Sequence, residues 1–180
     1  MNTDYFRNIN YIKHIPPERF KRVTRSGIIP YCLYRNKVWI SMAVDSRSGD
    51  LCDFGGQVND LDCTPIDTAL REFTEESLCA HGLFKPEDLK DSVCSLSERS
   101  MLIFLHVRAF PARVMSKFKE KAKACQRNLE VKDIKFFDLE NFKKIMDNQP
   151  ARSMTDKIDT KYIIYSEVRR LLCQKIFLLI

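Results

Sequence analysis

The order of apolar patterns along the chain predicts an α/β (α+β) fold, an α/β/α sandwich in which helices cover a mixed sheet. Three observations carry this. Short runs of strand composition alternate with longer amphipathic stretches, in the order strands, helix, strands, helix, strand, helices. One run, SMLIFLHVRAF (100–110), is nearly all apolar and reads as a central strand. A chain of 180 residues with 44% hydrophobic and 30% charged side chains has ordinary globular composition and enough length for one domain with a sizeable core.

Residues 1–25 form a polar, basic and aromatic N-terminal segment in which IPPERF reads as a turn into a short helix. SGIIPYCLY (26–34) and KVWISMAV (37–44) read as strands joined by a hairpin turn at Arg35-Asn36, and DSRSGDLCDFGG follows as loop and short strand. Pro65 suits the first turn of a helix, where its missing N–H costs nothing, and Thr64 suits the cap; this helix is expected over 65–78. DSVCSLSE (91–98) pairs with 100–110 as strands. Residues 112–126 are expected helical, 130–139 a strand, ENFKKIMD a short helix, and 159–180 an amphipathic helix closing over the core.

No apolar run reaches the roughly 18 residues of a membrane span, and the first residues lack the apolar core of a signal peptide. These features read as a soluble protein of the cytoplasm, with the nucleus as a second compartment. Seven cysteines without a CxxC pair argue against both a disulfide framework and a structural zinc site. The net charge of +6 favours an anionic partner. Arg19, Lys21, Arg22 and Arg25 form one basic cluster, and Lys117, Lys119, Lys121, Lys123 and Arg127 another. Each by itself reads first as solvated surface.

The segment DFGGQVNDLDCTPIDTALREFTEESLC (53–79) carries the chemistry. Residues three and four apart share a helix face, so Glu72, Glu75 and Glu76 form one acidic patch. Ile66, Ala69, Leu70 and Phe73 take a neighbouring face that packs into the core and holds the patch at the sheet's rim. Clustered carboxylates repel, and a hard divalent cation relieves that repulsion; Mg²⁺ takes oxygen ligands, keeps several waters and prefers one or two carboxylates together with substrate phosphate. Arg71 can hold one carboxylate through a forked ion pair. Gly55 and Gly56 permit a tight turn and close backbone approach to a metal or phosphate.

These residues resemble the Nudix box, G-x5-E-x7-R-E-U-x-E-E-x-G-U, where U is aliphatic. Here it stands as Gly56, five residues, Asp62, eight residues, then Arg71-Glu72-Phe73-Thr74-Glu75-Glu76-Ser77-Leu78-Cys79. Asp62 replaces the usual glutamate, one extra residue precedes Arg71, and Leu78 occupies the place of the glycine that ends the helix, for which Gly82 is a substitute one turn later. The resemblance implies a Nudix sandwich and Mg²⁺- or Mn²⁺-dependent hydrolysis of a pyrophosphate. It implies Glu76, Glu72 and Glu75 as metal ligands, joined by a carbonyl of Gly55 or Gly56, and Asp62 either in the metal shell or orienting Arg71. It also implies a catalytic set of Glu130, Glu72 and Arg71: Glu130, in CQRNLEVKDIKFF, resembles the base of mRNA-decapping relatives, with Glu98 in SLSERS as the alternative.

The Gly-Gly…Asp spacing resembles RNA-decapping Nudix proteins, including those of large cytoplasmic DNA viruses, which implies capped RNA as substrate. Nucleoside diphosphate derivatives, diphosphoinositol polyphosphates and a non-catalytic binding module are the other readings. Lys117 and Lys121 share one helix face and Lys119 and Lys123 another, a track along which an RNA body can bind through its phosphates. A cap guanine needs an aromatic stack; Tyr5, Phe6, Tyr11, Phe20, Tyr31 and Tyr34 are too many candidates to choose among, and Trp39 reads as packed. His14, His81 and His106 lack metal-ligand spacing and read as structural or surface residues.

Overall fold

A computed structural model describes residues 4–6, 21–125 and 128–172. The strands are β1 (Asp4–Phe6), β2 (Arg25–Tyr34), β3 (Lys37–Asp45), β4 (Leu51–Cys52), β5 (Phe54–Gln57), β6 (Val93–Leu96), β7 (Ser100–His106) and β8 (Val131–Asp138). The helices are α1 (Pro65–Glu76), α2 (Pro111–Ala124), α3 (Leu139–Met146) and α4 (Ser166–Leu171), with a 3₁₀ turn at Pro86–Leu89. None of the described helices is long and apolar enough to cross a membrane.

The strands form one mixed sheet in the order β1-β6-β7-β2-β3-β4, with β5 on β2 and β8 on β3. β7 runs parallel to β2 and the other pairs are antiparallel. Alternation of side chains builds two cores. Met101, Ile103 and Leu105 of β7 face one side, where Ala69, Leu70 and Phe73 of α1 and Val114, Met115 and Phe118 of α2 cover them. Leu102 and Phe104 face the other, under Phe142 and Ile145 of α3 and Val168 and Leu171 of α4. This is the expected sandwich, with β7 central.

Along β2, Tyr31–Tyr34 pair with β3, while Arg25–Ile28 pair with β5. β4 pairs with Ala43 and Val44 farther along β3. β2 and β3 therefore diverge from a common hairpin, and the segment 51–57 fills the gap, leaving Asp53 between its two pairings. The hairpin turn sits at Arg35 and Asn36, both in the left-handed region at φ 52° and 58°, a geometry suited to tight hairpins.

Several expectations need correction. Gly55 and Gly56 lie inside β5 in extended backbone, not in a tight turn. α1 ends at Glu76, and Leu78 and Cys79 themselves take the left-handed conformation at φ 51° and 53°; Gly82, at φ 118°, belongs to the following loop and does not stop the helix. β7 ends at His106 rather than continuing to 110. Arg25, grouped with surface charges, opens β2 with a largely buried side chain. The closing helix starts at Ser166, because Ile163–Tyr165 instead run beside β4: the Leu51 N–H donates to the Ile163 carbonyl (2.7 Å) and the Tyr165 N–H to the Leu51 carbonyl (2.8 Å). Residues 173–180, the IPPERF helix, Arg19, Arg127, His14, Tyr11 and Phe20 lie outside the described residues, as do the side chains of Tyr5 and Phe6. Trp39 is packed against the core and donates to the Tyr34 carbonyl (3.2 Å).

Candidate functional site

α1 begins where its sequence predicts: Pro65 occupies the first turn, and the Thr64 hydroxyl accepts from the Asp67 N–H (3.3 Å). Burial of Ala69, Leu70 and Phe73 orients the helix, and Glu72, Glu75 and Glu76 follow on the adjoining face. β5 lies against that face. The Gly55 N–H donates to Glu76 Oε2 at 2.8 Å. A Cβ on Gly56 would stand 2.4 Å from Glu72 Oε1, and one on Gly55 would stand 2.5 Å from the Cα of Gly27. The glycines are needed because strand, strand and helix converge there, not because the chain turns.

Arg71 organises one side of the patch. Its Nε and Nη2 donate to Asp62 Oδ1 (3.2 Å) and Oδ2 (3.0 Å), and its Nη1 lies 2.8 Å from Glu72 Oε1 and 3.4 Å from Glu75 Oε2. Thr68 Oγ1 also donates to Asp62 Oδ2 (2.8 Å). Both Asp62 oxygens are thus engaged in holding Arg71. The Arg71 bond holds the Asp62 carboxyl below its ordinary pKa.

A second ion pair lies on the other side, and the sequence did not reveal it. Arg25 Nη1 and Nη2 donate to Asp53 Oδ2 (2.9 Å) and Oδ1 (2.5 Å), and Nη2 lies 3.3 Å from the Gly55 carbonyl oxygen. The Asp53 side chain is fully buried. Its space comes from Gly27, where a Cβ would stand 2.0 Å from Asp53 Oδ2. Burial disfavours the Arg25 charge, but Asp53 outweighs it and the guanidinium pKa is raised. The pairing was invisible because Arg25 and Asp53 are brought together only by the β2–β5 register.

Glu76 sits between these pairs. Burial, with the nearby charges of Asp53, Glu72 and Glu130, pushes its carboxyl up to about 9 against the opposing Gly55 N–H. Burial also raises Glu72, although Arg71 counters it. Glu130 reaches the cluster from the start of β8, with its carbonyl accepting from the Ser46 N–H at 2.7 Å.

Two cavities meet at these acids. One of about 630 Å³ is bounded by Glu72, Glu75 and Glu76, the end of α2 with Lys121, and Leu129. The other, of about 370 Å³, is bounded by Arg25, Asp45, Asp50, Gly55 and Tyr165. Glu76 and Glu130 belong to both. Glu98 is exposed in the β6–β7 turn and lines neither.

The four lysines of α2 are exposed. Lys121 is not free, since its Nζ donates to the Leu78 carbonyl (2.7 Å) and so caps the end of α1. Lys117, Lys119 and Lys123 line neither cavity. His81 is buried among Phe54, Phe73 and Phe136, with Nε2 3.0 Å from the Ser41 hydroxyl, and burial lowers its pKa to about 3.

Among the described residues no group of three Asp, Glu, His or Cys side chains is placed to hold a metal ion. The chemistry of the acids nevertheless suits a hard cation. Glu76 is an oxygen donor that faces the negative charges of Asp53, Glu72 and Glu130, and Mg²⁺ at an open carboxylate site keeps several waters.

No protein-family model matches the sequence, and no curated protein matches it. Among solved structures, similarity is found to a C. elegans Ap4A hydrolase in a binary complex, at 17% identity over 83% of this chain and 91% of that one, with a TM-score of 0.45. Another is the Nudix domain of Shewanella oneidensis NrtR complexed with ADP ribose, at 18% identity over 75% and 85%, with a TM-score of 0.42. Likeness this distant bears on neither activity nor substrate.

Proposed function

We propose that the chain is a Nudix-type pyrophosphohydrolase that uses Mg²⁺ or Mn²⁺ and acts on an RNA 5′ cap, releasing a capped nucleoside diphosphate and leaving 5′-monophosphate RNA. The observation that carries the proposal is the meeting of Glu76 and Glu130 at a rim shared by two cavities, with Glu72 beside them in the larger. The exposed lysines of α2 supply the affinity for a long polyanion.

Glu76, with Glu72, Glu75 and the Gly55 carbonyl, would hold the cation, which when bound neutralises substrate phosphate oxygens and acidifies water. Glu130 accepts the proton of the water that attacks phosphorus. Asp62 and Arg71 position Glu72, and the Arg25–Asp53 pair positions β5 and the Gly55 backbone. A Glu130→Gln variant is expected to turn over at least about tenfold more slowly, the scale of lost general-base help. An unchanged rate in single-turnover kinetics would remove Glu130 from this role.

A second reading has the same chemistry on free nucleotides or diphosphoinositol polyphosphates, and the smaller cavity, about 370 Å³, is within the range of small-ligand sites. Incubation of cap-labelled RNA, free nucleotides and diphosphoinositols, with and without Mg²⁺ or Mn²⁺, separates the readings. Metal-dependent release of capped nucleoside diphosphate from RNA alone supports decapping, and turnover of small molecules alone supports the second reading. Polyanion binding with no turnover of any substrate overturns both.

A further inference from the structure

The walls of the two cavities differ in one respect that bears on what enters them. Among the described residues lining them, the larger has no aromatic side chain and the smaller has one, Tyr165. Tyr165 is 42% exposed, so part of its ring is open to a ligand. Its backbone is held along β4 by the bond from its N–H to the Leu51 carbonyl, and Ile164 beside it bridges to Leu51. The ring also rests near the Arg25 guanidinium, whose central carbon is 5.9 Å from the ring centroid. Arg25 is immobilised in turn by the fork to Asp53 and by Glu167, 3.8 Å from Nε. A half-open aromatic on a fixed base, in the wall of a cavity that also contains Glu76 and Glu130, is suited to receive a flat ring next to a reacting phosphate.

We infer that Tyr165 stacks on the nucleobase at one end of the polyphosphate substrate, with the nucleoside in the smaller cavity. The inference rests on the polyphosphate chemistry proposed above and selects within it. A purine or pyrimidine has a π-face to offer Tyr165, whereas an inositol ring does not. The rest of the substrate then extends past Glu76 and Glu130 toward the larger cavity and Lys121.

The test is calorimetric titration of the full chain, in Mg²⁺, with two ligands that resist hydrolysis. Methylene-bridged guanosine diphosphate and methylenediphosphonate share the paired phosphorus groups and differ by the nucleoside. The wild type is expected to bind the nucleotide more tightly. Tyr165→Ala is expected to lose roughly tenfold or more of that affinity, the scale of one base–aromatic stack, while methylenediphosphonate binding is unchanged; Tyr165→Phe retains both. Preference for the nucleotide that persists in Tyr165→Ala, or a wild type that does not distinguish the ligands, overturns the stacking assignment and leaves the hydrolase reading standing. Failure of the wild type to bind either ligand overturns both.

Discussion

At the residue scale, Glu76 carries opposing demands. A carboxyl held at about 9 against 4.5 in the unfolded chain is more easily protonated when folded. Its contribution to stability is therefore complete below pH 4.5 and is lost progressively as pH rises toward 9. Metal-free protein should become less stable to urea as pH rises from 6.5 to 9, and Glu76→Gln should flatten that decline, raise the melting temperature at neutral pH and abolish both turnover and stabilisation by Mg²⁺. Unchanged turnover in this variant would remove Glu76 from the metal site. Asp53 makes the converse case. Its substitution by Asn leaves the largely buried Arg25 charge with only the half-exposed Glu167 opposite it, which is expected to cost about 3 kcal/mol in denaturant unfolding. A loss below about 1 kcal/mol would mean that the buried pair is solvated in a way the fork to Asp53 does not suggest.

At the element scale, the contact between β5 and α1 depends on what is missing from Gly55 and Gly56. Gly56→Ala sets a methyl group 2.4 Å from Glu72 Oε1 and forces the carboxylate to move. The side chain can yield, so the expected loss of stability is modest, about 1–3 kcal/mol. Turnover is expected to fall at least about tenfold, because a displacement of an ångström in a positioned group suffices for that. Steady-state kinetics on folded Gly56→Ala protein, with circular dichroism as the check on folding, decides it. The sequence displayed the double glycine and the acid spacing, but not the extended conformation of Gly55 and Gly56. That conformation comes from pairing with Arg25–Ile28 on β2, a contact made across nearly thirty intervening positions. Leu78 is legible only afterwards as well. It accepts a left-handed conformation in place of the usual helix-ending glycine while Lys121, from α2, takes its carbonyl.

At the scale of the whole molecule, the sheet joins the site to the core through His81. Its ring packs against Phe54 of β5, Phe73 of α1 and Phe136 of β8, and meets Ser41 of β3. Burial lowers its pKa to about 3 from 6.5, so the unfolded chain takes up a proton that the folded protein refuses. The contribution of the neutral ring is therefore complete above pH 6.5 and is lost as pH drops from 6.5 toward 3. His81→Gln should lose that acid-limb slope in urea titrations at successive pH values, even if its stability at pH 7 is lower. A slope that survives the substitution would assign the acid sensitivity to other groups.

What local physics controls was legible in the chain: the periodicities of strands and helices, the cap and first turn of α1, the hairpin at Arg35-Asn36, and the carboxylates on one helix face. Each follows from residues within a turn or two of one another. The rest waited on folding. It united Arg25 with Asp53, drew Glu130 to Glu76, enclosed His81, tied Lys121 to the end of α1, and set Tyr165 in the wall of the smaller cavity. The physical reason is that charge pairing, burial and cavity shape are properties of surfaces brought together by folding, and residues far apart in the chain announce no such partnership beforehand.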